Sequence, residues 1–349
     1  MNFLKFIANC TSLEILGLQD NNFGGLFPSS IANLSSQLQS LTMGGNMIRG
    51  DIPIEIGNLI NLNDLGLEYN YLGGTLPNVI GKLQKLKVLY LGGNKFSGSI
   101  PSSLGNLTGL TILFMEGNIP PSLGNCQNLL LLNISSNNLT GTIPKQVIGL
   151  SSLSISLVMS HNLLIGALPF EVGNLIHLAE LDLSYNRLSS KIPTTLETCL
   201  SLERLYLEGN SFEVTIPESL KTLRGLEEID IPQNNFFGQI PELLSKSLSL
   251  EYLNISYNDF EGEVSSEGVF ANASKISIFG NNKLCGGVQE LHLPICLRKN
   301  PHSFRKLLAL KIVIPTSSMI IFVLILLYFF PSCFHVSKKR ERALGIFLW

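Results

Sequence analysis

Residues 86–101 read Leu86-Lys87-Val88-Leu89-Tyr90-Leu91-Gly92-Gly93-Asn94-Lys95-Phe96-Ser97-Gly98-Ser99-Ile100-Pro101, and this stretch decides the fold. Its frame, Leu-x-x-Leu-x-Leu-x-x-Asn, returns along most of the chain, for example over residues 178–186. The asparagines of the frame recur at almost constant spacing, and seven of the ten intervals are 24 residues. They are Asn21, Asn46, Asn70, Asn94, Asn118, Asn137, Asn162, Asn186, Asn210, Asn234 and Asn258.

This frame is that of a leucine-rich repeat. Each unit has one short strand whose leucines point inward, and stacked neighbours are needed to bury them. Asparagine suits the bend after the strand because its amide both donates and accepts hydrogen bonds with backbone groups. Surface asparagines without a structural role would not keep this period. The spacing therefore predicts an α/β solenoid of about eleven repeats with a parallel sheet on its concave face.

A second motif, Gly-x-Ile-Pro or a close variant, follows most of these asparagines, as in Gly141-Thr142-Ile143-Pro144. Two longer phrases accompany it: Ile100-Pro101-Ser102-Ser103-Leu104-Gly105-Asn106-Leu107-Thr108 and Glu267-Gly268-Val269-Phe270-Ala271-Asn272-Ala273-Ser274. With them, residues 9–297 resemble the extracellular region of plant leucine-rich-repeat receptor-like serine/threonine kinases, the subfamily that includes pattern-recognition receptors. The resemblance implies a plant-type superhelix that binds a peptide or protein ligand, with a co-receptor kinase as a further partner.

Composition and motifs argue against catalysis. The chain is 45% apolar and 14% charged with a net charge of −2, so no nucleic-acid surface is expected. Its five histidines form no metal-spaced cluster, and the sequence contains no phosphate-covering glycine loop, His-Arg-Asp or Asp-Phe-Gly. The sequence predicts a protein without enzymatic activity, cofactor or metal, although complete members of the resembled family are kinases.

Five of the six cysteines fall into two groups. Cys10, Cys126 and Cys199 each precede a frame leucine by three residues, so we expect small core residues. Strands about 4.8 Å apart would place Cys126 and Cys199 roughly 14 Å from one another, beyond disulfide reach. Members of the resembled family close the end of the core with a disulfide-bonded cap, which implies a bond between Cys285 and Cys296.

Seven Asn-x-Ser/Thr sequons and an apolar segment indicate a secreted, anchored chain. Residues 312–330 carry no charge and the stretch extends to 336, which is long enough to span a bilayer; a buried core helix is the alternative. Basic residues lie on both sides, so the sequons and cap cysteines decide the orientation. The sequons begin at Asn9, Asn33, Asn106, Asn133, Asn138, Asn254 and Asn272.

These features predict a single-pass type I protein of the plasma membrane, with its amino-terminal side extracellular. Its parts are the solenoid (1–263), a cap with paired cysteines (264–297), a basic juxtamembrane segment (298–311), one transmembrane helix (312–336) and a short cytoplasmic tail (337–349). Neither a signal peptide nor a kinase domain is recognised, so the sequence also predicts truncation at both ends relative to the resembled family.

One group of apolar residues stands out where the concave sheet should face solvent. It consists of Val88, Tyr90, Ile112, Phe114 and Leu131, with room for a partner's backbone beside Gly92 and Gly93. A contiguous apolar patch is a candidate anchor for a ligand, and packing between strands without a partner is the alternative. Repeat five has also lost its Leu-x-Gly turn after Asn118, which predicts an intact strand with a thinner flank.

A second group is acidic. It comprises Glu180, Asp182, Glu208, Glu228 and Asp230, with Arg204 among them. Such a group attracts a basic peptide or is simply a solvated face.

Three functions from different classes fit the sequence. The first is a membrane-anchored receptor-like binding ectodomain in plant cell-surface perception, for defence or development, without its own kinase. The second is an incomplete product of a receptor kinase gene. The third is a non-signalling inhibitor or adhesion protein, which the apolar segment disfavours because such inhibitors are soluble.

Overall fold

The computed structural model describes residue 7 and residues 9–96, 100–114, 119–136 and 139–296. Twelve short strands, all paired in parallel, form one long sheet in this part of the chain. This long sheet corresponds to the predicted concave sheet. Its strands are Ile15–Gly17, Ser40–Thr42, Asp64–Gly66, Val88–Tyr90, Ile112–Phe114, Leu131–Asn133, Ser156–Val158, Glu180–Asp182, Arg204–Tyr206, Glu228–Asp230, Tyr252–Asn254 and Ile276–Ser277.

Two flank sheets follow the bends. One contains Gly24–Leu26, Met47–Gly50 and Tyr71–Leu72; the other contains Thr140–Gly141, Leu163–Ala167, Arg187–Ser190, Ser211–Val214, Asn235–Gln239, Asp259–Val264 and Lys283–Gly286. Short helices complete each turn of the solenoid. The 3₁₀ helices are Ser29–Asn33, Ile54–Asn58, Asn78–Lys82, Ser102–Asn106, Pro121–Asn125, Phe170–Asn174, Thr194–Thr198, Glu218–Thr222, Gly268–Ala271, Ala273–Lys275 and Gln289–Leu291, and the α-helices are Lys145–Ile148 and Glu242–Lys246.

The frame leucines explain this architecture. The central residue of nearly every strand in the long sheet is fully buried, whereas the residues on both sides of it are partly exposed, as in Val88–Tyr90. Fully burying one leucine contributes about 1.5–3 kcal/mol, and each repeat adds several. Phe212, Phe236 and Phe260 stack between consecutive repeats, with ring centroids 6.3 and 6.2 Å apart. Each of these contacts is with a neighbouring repeat, as expected of a solenoid.

The asparagines satisfy backbone groups of two adjacent repeats. Asn210 Nδ2 donates to the carbonyls of Leu207 at 3.1 Å and Glu208 at 3.2 Å in its own repeat, and to that of Leu183 at 2.9 Å in the preceding one. Its Oδ1 accepts from the Leu188 N–H at 3.0 Å. The same arrangement holds for Asn46, Asn70, Asn94, Asn162, Asn186, Asn234 and Asn258.

The series of asparagines begins and ends differently from its middle. Asn21 is exposed, and among the described residues it bonds only to carbonyls of its own repeat, at Leu18 and Gln19. Asn118 and Asn137 lie outside the described residues. Asn281, which the period of 24 missed, joins the series by accepting from the Phe260 N–H at 3.0 Å.

The solenoid extends beyond residue 263, where the sequence placed its end. Ile276–Ser277 adds a strand to the long sheet and Lys283–Gly286 adds one to the flank sheet. The signal was present as Ile-x-Ile-x-x-Asn over residues 276–281, only 23 residues after the preceding asparagine. It was missed because no Leu-x-x precedes it.

Repeat five keeps an intact strand, as predicted. Ile112–Phe114 pairs in register with the strands on both sides. Among the described residues between 73 and 139, no strand belongs to a flank sheet. The turn that carries Asn118 lies outside the described residues, so the thinner flank stays a prediction.

No helix among the described residues has both the length and the apolar character needed to cross a bilayer. The predicted span, residues 312–336, lies outside the described ranges.

Candidate functional site

The structure brings the apolar residues predicted from the sequence to adjacent positions of the long sheet. Val88, Ile112 and Leu131 pair with one another across three strands, and so do Tyr90, Phe114 and Asn133. The side chains of Val88, Tyr90, Ile112 and Leu131 are partly exposed on the side of the sheet that faces solvent, which we call the open face. We call Val88, Tyr90, Ile112, Phe114 and Leu131 the apolar patch.

Carboxylates border the apolar patch on its amino-terminal side. Asp64 pairs in register with Val88, and Gly66 pairs with Tyr90. Asp64 Oδ2 accepts a hydrogen bond from Ser40 at 3.1 Å. Asp64 Oδ1 is buried and accepts no hydrogen bond from the described residues, and the same holds for Glu68 Oε2. These two oxygens are shielded from solvent, so what the border offers a ligand is the negative charge of the two carboxylates.

Burial raises the pKa values of the groups at this border. Desolvation raises the pKa of Asp64, and it raises that of Glu68 with a further contribution from the charge of Asp64. The pKa of the Tyr90 phenol is raised as well, first by burial and then by the charges of Asp64 and Glu68. Tyr90 therefore remains protonated at neutral pH. The border has a negative potential that favours a cationic group of a ligand.

The two glycines beside the patch differ in the space around them. A Cβ built on Gly92 would meet nothing within 4 Å, so this position is open. A Cβ on Gly93 would lie 2.6 Å from Cδ1 of Tyr69, and Gly93 has a φ of +70°. The expectation of free space at Gly93 was wrong, because the Tyr69 ring of the preceding repeat occupies it.

Sequon asparagines occur in two settings. Asn133 occupies the same column of the open face as Tyr90, and its Oδ1 accepts from the backbone N–H and the hydroxyl of Ser135 at 3.0 and 2.7 Å. Asn254 and Asn272 make the equivalent pairs of bonds with Ser256 and Ser274. Asn9, Asn33, Asn106 and Asn272 are exposed, and Asn138 lies outside the described residues. A glycan on Asn133 would stand directly beside the apolar patch.

The acidic group on repeats eight to ten makes several internal contacts. Arg204 Nε bonds to Glu180 Oε2 at 3.1 Å, and the Tyr206 hydroxyl donates to Glu228. Burial, followed by the charge of Glu208, raises the pKa of Asp230 to about 6. Glu180 and Glu228 thus have partners on the strand Arg204–Tyr206, whereas Asp230 Oδ1 is buried and accepts no hydrogen bond from the described residues. We take the apolar patch as the candidate ligand site because its residues align on three neighbouring strands.

The cysteines separate as predicted, with one exception. Cys126 and Cys199 are free and buried, and burial raises the pKa of each thiol to about 11. Cys285 and Cys296 are both disulfide-bonded. Cys10 is exposed, so its assignment to the core was wrong; it precedes the first strand, where no described repeat covers it. The described residues contain no group of three or more His, Cys, Asp or Glu able to hold a metal.

Comparison with protein-family models identifies the repeats. Models described as leucine rich repeat match residues 60–119; 12–34, 37–59, 128–150, 177–199 and 201–223; and 246–263. Among curated proteins, the LRR receptor-like serine/threonine-protein kinase EFR of Arabidopsis thaliana is 52% identical over 68 residues. That segment is 20% of this chain and 7% of the relative.

Solved structures give longer matches. The plant peptide hormone receptor RGFR1 in complex with RGF2 is 35% identical with a TM-score of 0.66, covering 74% of this chain and 46% of that one. The Arabidopsis receptor kinase HAESA, in complex with the peptide hormone IDA and the co-receptor SERK1, is 31% identical with a TM-score of 0.70. This match covers 80% of this chain and 51% of that one. The chain therefore spans about half of each of these receptor chains.

Proposed function

The chain is a leucine-rich-repeat solenoid homologous to the ectodomains of plant receptor kinases, and from this premise we propose that it is a receptor-like binding protein of the plant cell surface. Its ligand is a peptide or protein that contacts the open face of the long sheet. The apolar patch is the anchor of that contact, and a co-receptor kinase is a second partner.

This proposal rests on one observation: the residues of the apolar patch occupy paired positions on three neighbouring strands of the long sheet. Elsewhere the exposed positions of the strands are mostly polar or small, as in Ser40–Thr42, Glu180–Asp182 and Glu228–Asp230. Apolar side chains that line up on a solvated face exclude water from a partner's side chain, which is how interface anchors act. Packing between these strands explains why the patch residues are aligned, but it does not explain why apolar side chains are left partly exposed to solvent.

The carboxylate border adds a preference in charge. A ligand that places an apolar side chain on Tyr90 and a basic one near Asp64 and Glu68 would complement the negative charge of this border. The related receptors RGFR1 and HAESA are solved as complexes with RGF2 and with the peptide hormone IDA, and the HAESA complex includes a co-receptor. These relatives support a peptide as the ligand class.

The remaining parts of the proposal concern the membrane. Residues 264–297 hold the last strands of the solenoid and cap its end. They are followed by a basic juxtamembrane segment (298–311), one transmembrane helix (312–336) and a cytoplasmic tail (337–349). The protein is a type I protein of the plasma membrane that relies on a separate kinase, and its exposed sequons are glycosylated. One alternative is an incomplete product of a receptor kinase gene. Another is a non-signalling inhibitor or adhesion protein.

A substitution experiment tests the binding site. Peptides are selected from a displayed random library against the full chain, and their affinities are measured for the chain and for a Tyr90→Ala, Phe114→Ala double variant. Loss of a pair of anchor residues should weaken binding about 30-fold or more, equivalent to roughly 2 kcal/mol. Tyr90 is partly exposed and Phe114 pairs with it in register, while the buried Leu89 pairs with Leu113, so circular dichroism should be unchanged.

Tyr206→Ala is the matched control, because Tyr206 occupies the same strand position as Tyr90 in repeat nine. It should leave affinity within about twofold of the parent value. Equal losses for the control and the double variant, or no loss for the double variant, would reject the apolar patch as the anchor. Sequencing the transcript from both ends separates the receptor-like protein from an incomplete kinase product, since a transcript with kinase motifs downstream would contradict the stand-alone function.

A further inference from the structure

The helical segment that leads into the long-sheet strand of repeat eleven, Tyr252–Asn254, lacks a core residue that the other repeats have. Each short helix is normally followed by a buried leucine or cysteine, whereas helix Glu242–Lys246 is followed by Ser247, which is partly exposed. Leu248, the next residue, is fully exposed. The buried residues at the equivalent position are Leu34, Leu59, Leu83, Leu107, Cys126, Leu175, Cys199 and Leu223.

The backbone explains why Leu248 does not take the vacant position. In repeat ten the Leu223 N–H bonds to the Leu220 carbonyl at 3.0 Å, which continues the helical turn and directs the leucine inward. In repeat eleven the helix ends on Ser247 in an extended conformation, with φ −68° and ψ 128°. The following side chain therefore points away from the core.

A cavity of about 570 Å³ lies between repeats ten and eleven at this position. Its apolar walls are formed by Leu220, Leu223, Leu226, Ile229, Leu244 and Leu250. All six side chains belong to the hydrophobic core, and Ile229 is also the buried centre of a strand in the long sheet. A volume of this size lies within the range of small-molecule sites, and apolar walls hold water poorly.

Charged side chains of repeats ten and eleven border the cavity. Lys246 pairs with Glu242 at 2.7 Å, whereas Lys221 and Arg224 form no ion pair with any described residue. Glu218 also lies at the border. Two glutamates and three basic residues give the border a net charge of +1. Lys221 and Arg224 are the two basic residues without an ion pair among the described residues.

We propose that this cavity binds a small amphipathic carboxylate of the fatty-acid type. The apolar body of the ligand occupies the space that a frame leucine fills in other repeats, and its carboxylate lies near Lys221 and Arg224. Burial of the apolar body supplies the driving force, and the two cations select an anionic head over a neutral one. The site is separate from the apolar patch, so it does not depend on peptide recognition.

Photolabelling locates the ligand directly. The full chain in detergent is irradiated with a diazirine analogue of decanoic acid, and the labelled residues are identified by mass spectrometry after digestion. Label is expected within residues 218–250, and excess unlabelled decanoate should remove it. Because the position of the label is measured, probe in the micelle or on residues 312–336 does not mimic the result.

Two variants at the cavity test its role. Ser247→Leu restores the frame leucine and should lower labelling of residues 218–250 about tenfold or more by filling the space. Ser247→Met, whose flexible side chain adapts to irregular gaps, serves if the leucine variant does not fold. Ser201→Leu adds the same side chain at an exposed turn of repeat nine and should leave labelling unchanged. Unchanged labelling in a folded filled variant would overturn the proposal.

A charge test completes the experiment. Lys221→Gln with Arg224→Gln should reduce labelling by the carboxylate probe about threefold to tenfold, while labelling by the decanol analogue stays the same. Equal labelling of the parent chain by both probes would overturn the assignment of an anionic ligand. An absence of label in residues 218–250 of the parent chain would show a packing defect without a ligand, and would also reject the proposal.

Discussion

Replacing Asn210 with alanine should cost more stability than replacing any surface asparagine of the repeats. Asn210 is buried, and its amide serves four backbone groups. The three carbonyls that it bonds each keep another donor: Asn186 for Leu183, Asn234 for Leu207 and the Tyr185 N–H for Glu208. The Leu188 N–H has Asn210 Oδ1 as its side-chain acceptor. Its loss dominates the effect.

The magnitude follows from these partners. A buried donor left without an acceptor costs about 1–3 kcal/mol, and each shared carbonyl bond adds about 0.5 kcal/mol. The substitution should therefore lower the free energy of unfolding by about 3 kcal/mol. Asn21→Ala is the matched control, because Asn21 is exposed and its bonds to described residues are limited to two carbonyls of its own repeat. Its loss should cost less than about 1 kcal/mol.

Two measurements check this prediction. Urea unfolding followed by circular dichroism gives the change in free energy, and amide hydrogen exchange gives its location. Exchange at Leu188 should accelerate about 100-fold, which corresponds to roughly 3 kcal/mol, while exchange at Leu41 stays near the parent rate because each repeat contacts mainly its neighbours. If Asn210→Ala and Asn21→Ala destabilise equally, the asparagine amide is not what satisfies the buried bend.

Three further predictions concern charge, backbone and the disulfide. Asp230→Asn should stabilise the protein by about 1 kcal/mol at pH 7.5, after discounting for solvent screening. The pKa of Asp230, about 6, lies above its usual value, so ionisation of this carboxyl opposes folding and the gain should vanish as the pH falls from 6 to 4. Unfolding curves at several pH values measure this change. Gly93→Ala should cost about 1–2 kcal/mol in melting experiments, because φ is +70° and the added Cβ meets an aromatic ring, whereas Gly92→Ala should be nearly neutral. Reducing the disulfide-bonded Cys285 and Cys296 should cost about 2–3 kcal/mol if they pair with each other; non-reducing mass mapping that finds both thiols free would contradict this.

The repeat period alone predicts most of the fold because a solenoid is built from contacts between neighbouring units. Leu89 and Leu113 are equivalent in the frame, so their strands pair in the register that the spacing gives. The same logic places Val88, Tyr90 and Ile112 side by side on the open face. The prediction from spacing fails where the frame is incomplete. Asn281 is the example, because its repeat has no Leu-x-x ahead of its isoleucines.

Tertiary structure decides what depends on side chains that meet across repeats. The frame marks Gly93 as small but does not show that the ring of Tyr69 fills the space beside it. The sequence places Tyr90 on the open face, and only the structure shows that burial, followed by the charges of Asp64 and Glu68, raises the pKa of its phenol.

The sequence by itself determined the solenoid, its strand register and the positions of the candidate anchor residues, because each of these follows from spacing along the chain. Only the tertiary structure decided that Cys10 is exposed and that Ser247 leaves a cavity between two repeats. Both depend on what an adjacent repeat does or does not place over a residue. A one-dimensional period fixes which units are neighbours, whereas the space between them is set by the volumes and directions of individual side chains.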